Sequence, residues 1–189
     1  MTTGGDSFER LWTPYRMAYI RGENKPVDGG EGECPFCRVP GLPDDAALIV
    51  ARGTTAYVVL NLYPYNPGHL MVCPYRHVPM YDELSHDEVA EVAQLTQQAM
   101  RALRASGSPH GFNIGMNQGV VAGAGIAAHL HQHVVPRWGG DTNFMPVLAD
   151  VRMIPELLPE TYDGLLEAFK VERKKSRKPP TKNRRKGKR

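Results

Sequence analysis

Residues 129–135 read His-Leu-His-Gln-His-Val-Val, so three histidines occupy alternate positions just before Pro136. Alternate residues of an extended strand share one face, and the spacing therefore predicts a strand that presents three imidazoles on one surface. Neutral imidazoles bind metal ions, and histidine near pH 7 also serves as a nucleophile or a general acid and base. A polar edge strand or a chance cluster is the alternative interpretation of the row taken alone.

Short apolar runs and one long amphipathic segment surround this row. Strands are predicted, from runs bounded by Gly, Pro and polar residues, at 47–51, 56–61, 69–74, 111–116 and 129–135. A helix is predicted from Ser85 to Arg104, because Ser85 and Glu88 form an S-x-x-E capping box and apolar residues then recur on one face. The second half of 155–169 is also expected to be helical.

The chain's composition is that of an ordinary globular protein. Its 189 residues are 41% hydrophobic and 23% charged, a size and balance that predict one domain with tails. No run approaches the roughly 18 apolar residues that a membrane span requires. The first ten residues are polar and lack the apolar core of a signal peptide, so we expect a cytoplasmic protein.

Charge divides the chain into unequal parts. Residues 170–189 contain 12 of the 23 Lys and Arg residues and one acid, Glu172, so this segment carries +11 and the rest carries −8. We expect an N-terminal helix and mobile loop over 1–33, a folded domain with a C-terminal helix over 34–169, and a disordered basic tail over 170–189. The tail is either solubilising or a contact for RNA, DNA or an anionic membrane.

Three segments in this order resemble one known family. They are LNLYPYNPGHLMVCPYRHV at 60–78, GFNIGMNQG at 111–119 and HLHQHVVPRWGGDTNF at 129–144. Together they resemble the histidine-triad (HIT) superfamily of nucleotide hydrolases and transferases over residues 34–145, most closely the actinobacterial diadenosine tetraphosphate phosphorylases. The resemblance implies an α+β fold in which a largely antiparallel five-stranded sheet carries a long helix, and it implies a homodimer.

The resemblance also implies catalytic and nucleotide-binding roles. His131, the middle histidine, matches the nucleophile that attacks the α-phosphate, and His133 and His69 match the histidines that flank the phosphate. Asn61 matches a ribose-binding residue, and either Asn117 or Gln118 matches a phosphate contact. Gly125 belongs to a stretch that offers backbone N–H groups to phosphate. Trp138 matches a residue near the nucleotide, although a core or dimer-interface aromatic is the alternative.

A Cys-x-x-Cys pair, Cys34 and Cys37, supplies two thiolates at a spacing common in zinc sites. Some members of the superfamily bind structural zinc through such a pair, a histidine that matches His77, and the first triad histidine, His129. The resemblance thus implies a four-ligand structural zinc site and no organic cofactor. A redox dithiol or an unliganded pair is the alternative. Cys73 lies in an apolar run and is expected in the core.

Two features leave the reaction open. Gln132 stands where family members usually have an apolar residue, and Ala124, Gly125 and Ile126 stand where many relatives have Ser, Thr or Gln. The best interpretation is cleavage of a nucleotide phosphoanhydride, with diadenosine tetraphosphate as substrate. Phosphate as second nucleophile makes the enzyme a phosphorylase, and water makes it a hydrolase. Nucleoside phosphoramidate or aminoacyl-adenylate hydrolysis, or a nucleotide- or nucleic-acid-binding module that uses the tail, are the alternatives.

Overall fold

The computed structural model describes residues 32–141 and 158–176. One sheet contains β1 (Ile49–Arg52), β2 (Ala56–Leu60), β3 (Leu70–Pro74), β4 (Gly111–Met116) and β5 (Gln132–Arg137). The strand order is β1-β2-β3-β5-β4, and every neighbouring pair is antiparallel. This confirms the predicted α+β fold. The N-terminal helix and most of the loop predicted over 1–33, and the tail beyond Ser176, lie outside the described residues.

The described helices are two short ones and two long ones. They are α1 (Pro35–Arg38), α2 (Asp44–Ala47), α3 (His86–Gly107) and α4 (Leu158–Ser176), with 3-10 turns at Val39–Gly41, Tyr81–Glu83 and Val120–Ala122. Neither long helix has the continuous apolar stretch that crossing a bilayer requires. Helix α4 runs seven residues into the segment predicted to be disordered, because buried Glu172 pairs with Arg101 of α3 at 2.8 Å.

The core lies on both faces of the sheet. Along β2, Ala56, Val58 and Leu60 pack with α3 and α4. Tyr57 and Val59 pack on the opposite face with the segment that contains Cys34 and Phe36. This alternation is the period of two that an extended strand imposes. All five residues of β2 are buried, and so are all five of β3. Strands β2 and β3, which are both internal strands of the sheet, are therefore covered on both faces.

Strand β5 begins at Gln132, three residues later than the histidine pattern predicts. Extending the pairing of β3 with β5 would place Pro74 opposite Leu130. Proline has no N–H to donate to a ladder, and the Leu130 N–H instead bonds to the Val78 carbonyl at 2.6 Å. The backbone from 129 to 131 thus leaves the ladder, which frees His129 and His131 to serve different sites.

Helix α3 begins with the predicted capping box. The Glu88 N–H donates to Ser85 Oγ, and the Ser85 N–H donates to Glu88 Oε2 at 2.7 Å. Arg76, in the loop after β3, donates two hydrogen bonds to the same carboxylate, from Nε at 2.9 Å and from a second nitrogen at 2.7 Å. This bidentate pair holds the pKa of the Glu88 carboxyl at about 2, well below its usual range.

We expect Glu88→Gln to destabilise the fold by about 1–3 kcal/mol at neutral pH, because it removes a buried charged hydrogen-bond acceptor. A carboxyl with a lowered folded-state pKa contributes stability above its ordinary pKa, and that stability is lost as pH falls toward about 2. Urea unfolding between pH 7 and pH 2 should therefore show a shallower acid decline in the variant. Asp163→Asn, at an exposed carboxylate, is the control. Parallel wild-type and Glu88→Gln curves would contradict the expectation.

Candidate active site and metal centre

A cavity of about 290 Å³ opens on the second face of the sheet. Five of the residues predicted to act on a nucleotide line it, namely Asn61, Asn117, Gly125, His131 and His133. They come from the end of β2, the loop after β4 and the start of β5. His69 is fully buried directly behind them and contacts His133. The cavity thus gathers residues that are up to 72 positions apart in sequence.

A backbone carbonyl fixes the protonation of the His131 ring. His131 Nδ1 lies 2.9 Å from the carbonyl oxygen of His129, which can only accept a hydrogen bond. In the neutral ring Nδ1 therefore carries the proton, and Nε2 holds a lone pair. His131 is 5% exposed, and this burial lowers its pKa, so the neutral ring is favoured. An unprotonated ring nitrogen at a cavity wall is what nucleophilic chemistry requires.

A single backbone N–H determines which ring nitrogen of His69 and of His133 carries the proton. The Tyr65 N–H donates to His69 Nδ1 at 3.1 Å, so the neutral His69 ring carries its proton on Nε2. His69 Nε2 lies 2.9 Å from His133 Nδ1, which must then accept. The proton of neutral His133 consequently resides on Nε2. Burial, and secondarily His131, lower the pKa of His133 to about 4, so this ring is neutral at pH 7.

Asn61 contacts the His69 ring from the end of β2. Its side-chain oxygen accepts a hydrogen bond from the Tyr63 N–H at 2.8 Å, which orients the carboxamide. The Asn61 amide nitrogen then lies 3.3 Å from His69 Nδ1. The Tyr65 ring also stacks on His69, with centroids 5.0 Å apart. The chain between β2 and β3 therefore both lines the cavity and fixes the His69 ring behind it.

The remainder of the cavity wall is largely apolar. Val59, Met71, Leu62 and Ile126 line it together with Phe36 of α1. The Phe36 ring lies against the His131 ring, with centroids 4.8 Å apart, and the Phe36 carbonyl accepts a hydrogen bond from the buried Tyr57 hydroxyl at 2.8 Å. The cavity thus has an apolar part and a polar part at which the imidazoles meet, a division suited to an amphipathic ligand.

Two predicted residues lie elsewhere. The Gln118 side chain accepts a hydrogen bond from the Tyr81 N–H at 2.8 Å and does not line the histidine cavity, so the structure favours Asn117 of the two alternatives. Trp138 donates from Nε1 to the Gly107 carbonyl at 3.0 Å and lines a different cavity of about 510 Å³. It is held there because the Trp138 backbone N–H donates to the Asp141 carboxylate, which closes the turn after β5. Among the described residues, Trp138 therefore does not line the cavity that contains His131 and His133.

A second cluster, of two thiols and two imidazoles, lies beside the cavity. One ligand atom from each of Cys34, Cys37, His77 and His129 falls within 4.8 Å of the others. His129 Nδ1 lies 3.4 Å from both sulfur atoms, and His77 Nδ1 lies 3.2 Å from Cys37 Sγ. These four residues, which the family resemblance implied as a set, could hold a metal ion. Four nitrogen and sulfur donors form a closed ligand set of the kind that structural sites use.

The second ring nitrogen of His129 orients this ligand. Nε2 lies 2.9 Å from the Pro74 carbonyl oxygen and must donate to it, so Nδ1 of the neutral ring is left with a lone pair toward the sulfurs. Burial lowers the pKa of His129 to about 4, which keeps the ring neutral. Pro74 therefore has two effects: its ring ends the ladder, and its carbonyl orients the histidine that the ladder releases.

Sequence reasoning did not identify two residues at the site. Phe36 lies between the two cysteines of the Cys-x-x-Cys pair. Its aromatic side chain at that position is the sequence signal that could have identified it. Tyr65 acts through its backbone N–H and its ring. No sequence pattern marks a backbone donor, because every residue other than proline has one.

Comparisons with known proteins identify the family of the chain. The HIT domain family matches residues 44–140. The chain is 49% identical over 159 residues to an "AP-4-A phosphorylase" of Mycobacterium tuberculosis, covering 82% of each chain. It is 33% identical over 86 residues to an Arabidopsis thaliana "bifunctional bis(5'-adenosyl)-triphosphatase/adenylylsulfatase", covering 46% of this chain and 47% of that one. A Zn-bound histidine triad family protein from Mycobacterium smegmatis superposes with a TM-score of 0.63 at 29% identity, covering 77% of this chain and 99% of that one.

Proposed function

The chain belongs to the HIT domain family, and from this premise we propose that it cleaves diadenosine tetraphosphate by phosphorolysis through an adenylyl-histidine on His131. The observation that carries the proposal is the His131 ring, whose Nδ1 proton is engaged by the His129 carbonyl at 2.9 Å and whose Nε2 is unprotonated in the neutral form. The extent of similarity to the AP-4-A phosphorylase supports the choice of substrate.

The proposed reaction has two displacements at one phosphorus atom. His131 Nε2 attacks the α-phosphorus, a P–N bond forms, and the P–O bond to the leaving group breaks, which releases ATP. Inorganic phosphate then attacks the same phosphorus, the P–N bond breaks, and ADP leaves with Nε2 restored. Covalent catalysis of this kind divides one difficult substitution into two easier ones.

His133 and His69 supply a proton donor and its support in this proposal. The Tyr65 N–H, His69 and His133 form one hydrogen-bonded series whose last member carries its proton on Nε2. We propose that this N–H donates to the phosphoryl oxygens, where a fixed donor offsets the negative charge of the transition state. His69, which is fully buried, acts on the reaction through His133.

The remaining lining residues are assigned to nucleotide binding. We propose that Phe36, Val59 and Ile126 take the nucleobase, since they form the apolar part of the cavity. Asn61 is assigned to the ribose hydroxyls, and Asn117 and the backbone at Gly125 are assigned to the phosphates. A volume of about 290 Å³ is at the lower limit for a ligand pocket and suits one nucleoside rather than two.

The second nucleophile decides between two activities on the same site. Phosphate gives a phosphorylase and water gives a hydrolase, and the similarity to a protein named as a triphosphatase keeps hydrolysis as the alternative. Hydrolysis of nucleoside phosphoramidates or aminoacyl adenylates would use the same His131 adduct.

We expect the full chain, incubated with diadenosine tetraphosphate, to yield ADP and ATP only when inorganic phosphate is present, measured by anion-exchange chromatography. AMP and ATP formed without phosphate would assign hydrolysis instead. A chain that ends at Ser176 should turn over at an unchanged rate, because every residue that lines the cavity falls between Pro35 and His133. No cleavage under any of these conditions would overturn the proposal and favour a binding module.

We propose that Cys34, Cys37, His77 and His129 hold structural zinc. The donor set fits this ion, because two thiolates and two imidazoles within 4.8 Å are typical zinc ligands and leave no position for a substrate. The Pro74 carbonyl, which accepts from His129 Nε2 at 2.9 Å, is the kind of outer partner that fixes a ligand's orientation. Bound there, the ion would clamp α1 to the start of β5.

We propose that two copies of the chain form a homodimer. Strand β4 is an edge of the described sheet, and Ile114 in it is 45% exposed. Exposed edge strands are suited to pairing with a second chain.

The basic segment 170–189, with its charge of +11, supports salt-sensitive contact with nucleic acid as a second candidate function.

A further inference from the structure

Gln132 lies between the two cavity histidines but its side chain points to the opposite face of the sheet. His131 and His133 line the cavity, whereas Gln132 Nε2 donates to Thr96 Oγ1 of α3 at 2.5 Å. The Thr96 hydroxyl donates in turn to the Val92 carbonyl at 2.7 Å. A hydroxyl has one proton, so Thr96 can only accept from Gln132, and this requirement fixes the orientation of the Gln132 amide.

The bond crosses an otherwise apolar layer. Thr96 is 8% exposed, and its neighbours on the buried face of α3 include Val92, Leu95 and Ala99, which pack with Val134 of β5. Apolar contacts tolerate sliding of a helix over a strand, but a hydrogen bond specifies one separation and direction. A polar group left unpaired in such a layer destabilises the fold, so the layer favours the one arrangement in which the pair meets.

Gln132 is also the first residue of the β5 ladder, where it pairs with Val72 of β3 and Met116 of β4. The backbone before it has left the ladder. The Gln132–Thr96 bond therefore anchors the point at which the strand begins, one residue from each cavity histidine.

We propose that the Thr96–Gln132 hydrogen bond positions His131 and His133, with Gln132 as a positioning residue that acts through the strand. For its catalytic consequence the inference rests on the proposed function. A misplacement of the reacting groups by about 1 Å can lower a rate by about 100-fold. Loss of the bond should therefore lower kcat and leave KM nearly unchanged, because the lining that contacts the nucleotide is intact.

The test compares Thr96→Val, Gln132→Met and the double variant in the full, metal-containing chain. Thr96→Val removes the acceptor of the Gln132 amide, so we expect a lower Tm and a kcat reduced by about 10-fold or more. The double variant removes both polar groups and should recover most of the Tm while kcat stays low. Thr96→Ser, which keeps the hydroxyl, should restore kcat. Recovery of kcat along with Tm in the double variant would mean a structural role only and would overturn the proposal.

A spectroscopic readout separates this inference from the proposed function. The ring ¹⁵N resonances of His131 and His133 should shift or broaden in Thr96→Val. They should not change in Gln97→Met, which makes the same substitution as Gln132→Met but at an exposed position of α3. If the wild type cleaves no diadenosine tetraphosphate, the proposed function fails, but altered resonances still support positioning. Unaltered resonances in Thr96→Val overturn it whatever the substrate.

Discussion

Replacement of His131 by Gly or Ala should lower the rate of nucleotide cleavage by roughly 10⁴-fold or more, because removal of a catalytic nucleophile eliminates the covalent route and leaves only binding and charge stabilisation. The ring has no substitute in the cavity. His133 Nδ1 accepts from His69, so its other nitrogen carries a proton and cannot attack. The measurement is initial-rate kinetics with diadenosine tetraphosphate and phosphate for the wild type and both variants.

A trapping experiment tests the adduct itself. Substrate labelled at the α-phosphate, quenched in alkaline denaturant without inorganic phosphate, should leave label on the wild-type chain and none on His131→Ala. His86→Ala, at an exposed histidine that begins α3, is the matched control and should keep both label and turnover. His131 is buried and lies two residues from His129 of the metal cluster, so a substitution could disturb the fold or the metal. Tm and metal content are therefore measured for each variant. More than a tenth of wild-type turnover in a correctly folded His131 variant would exclude it as the nucleophile.

Local patterns in the sequence were enough to predict the elements that local physics specifies. The Ser85–Glu88 capping box and the first four strands depend on neighbours in sequence. The capping box is found where predicted, and each of these strands begins and ends within two residues of its predicted bounds. The start of β5 depends on Pro74, which lies 55 positions from His129 and comes opposite the strand only in the folded sheet. Strand alternation therefore predicted three equivalent histidines, whereas the structure divides them between a cavity and a metal cluster.

The candidate site was predictable to the extent that side-chain chemistry identifies it. Of the twelve predicted site residues, the structure brings ten to the cavity, to the metal cluster or directly behind the cavity wall. Nine of these ten are histidine, cysteine or asparagine, and the tenth, Gly125, was marked by its loop. Groups that act through the backbone, such as the Tyr65 N–H, have no such mark. Nor does the partner of Gln132, because nothing local to Thr96 indicates that helix α3 lies under the start of β5.

Mutation of Cys34 to Ser should release the metal and lower Tm by roughly 10 °C or more. A bound ion stabilises the folded chain by about 4 kcal/mol when its free concentration is 1,000 times its dissociation constant, and each kcal/mol shifts Tm by about 2–4 °C at this size. Cys34 is fully buried, and its sulfur lies 3.4 Å from His129 Nδ1. Elemental analysis should give one zinc per wild-type chain, and calorimetry should give the two values of Tm.

The third cysteine provides a matched control for this variant. Cys73 is fully buried in the same apolar cluster but is not among the four donors, so Cys73→Ala should keep the zinc and lose only the contacts of one sulfur, including its hydrogen bond with Tyr57. The effect of Cys34→Ser on stability should exceed its effect on chemistry, because the ion contacts no reacting atom in the proposed mechanism. It acts on His131 through the His129 carbonyl and Phe36, which flank that ring. A metal-free wild-type protein, or equal losses of Tm in the two variants, would refute the structural zinc site.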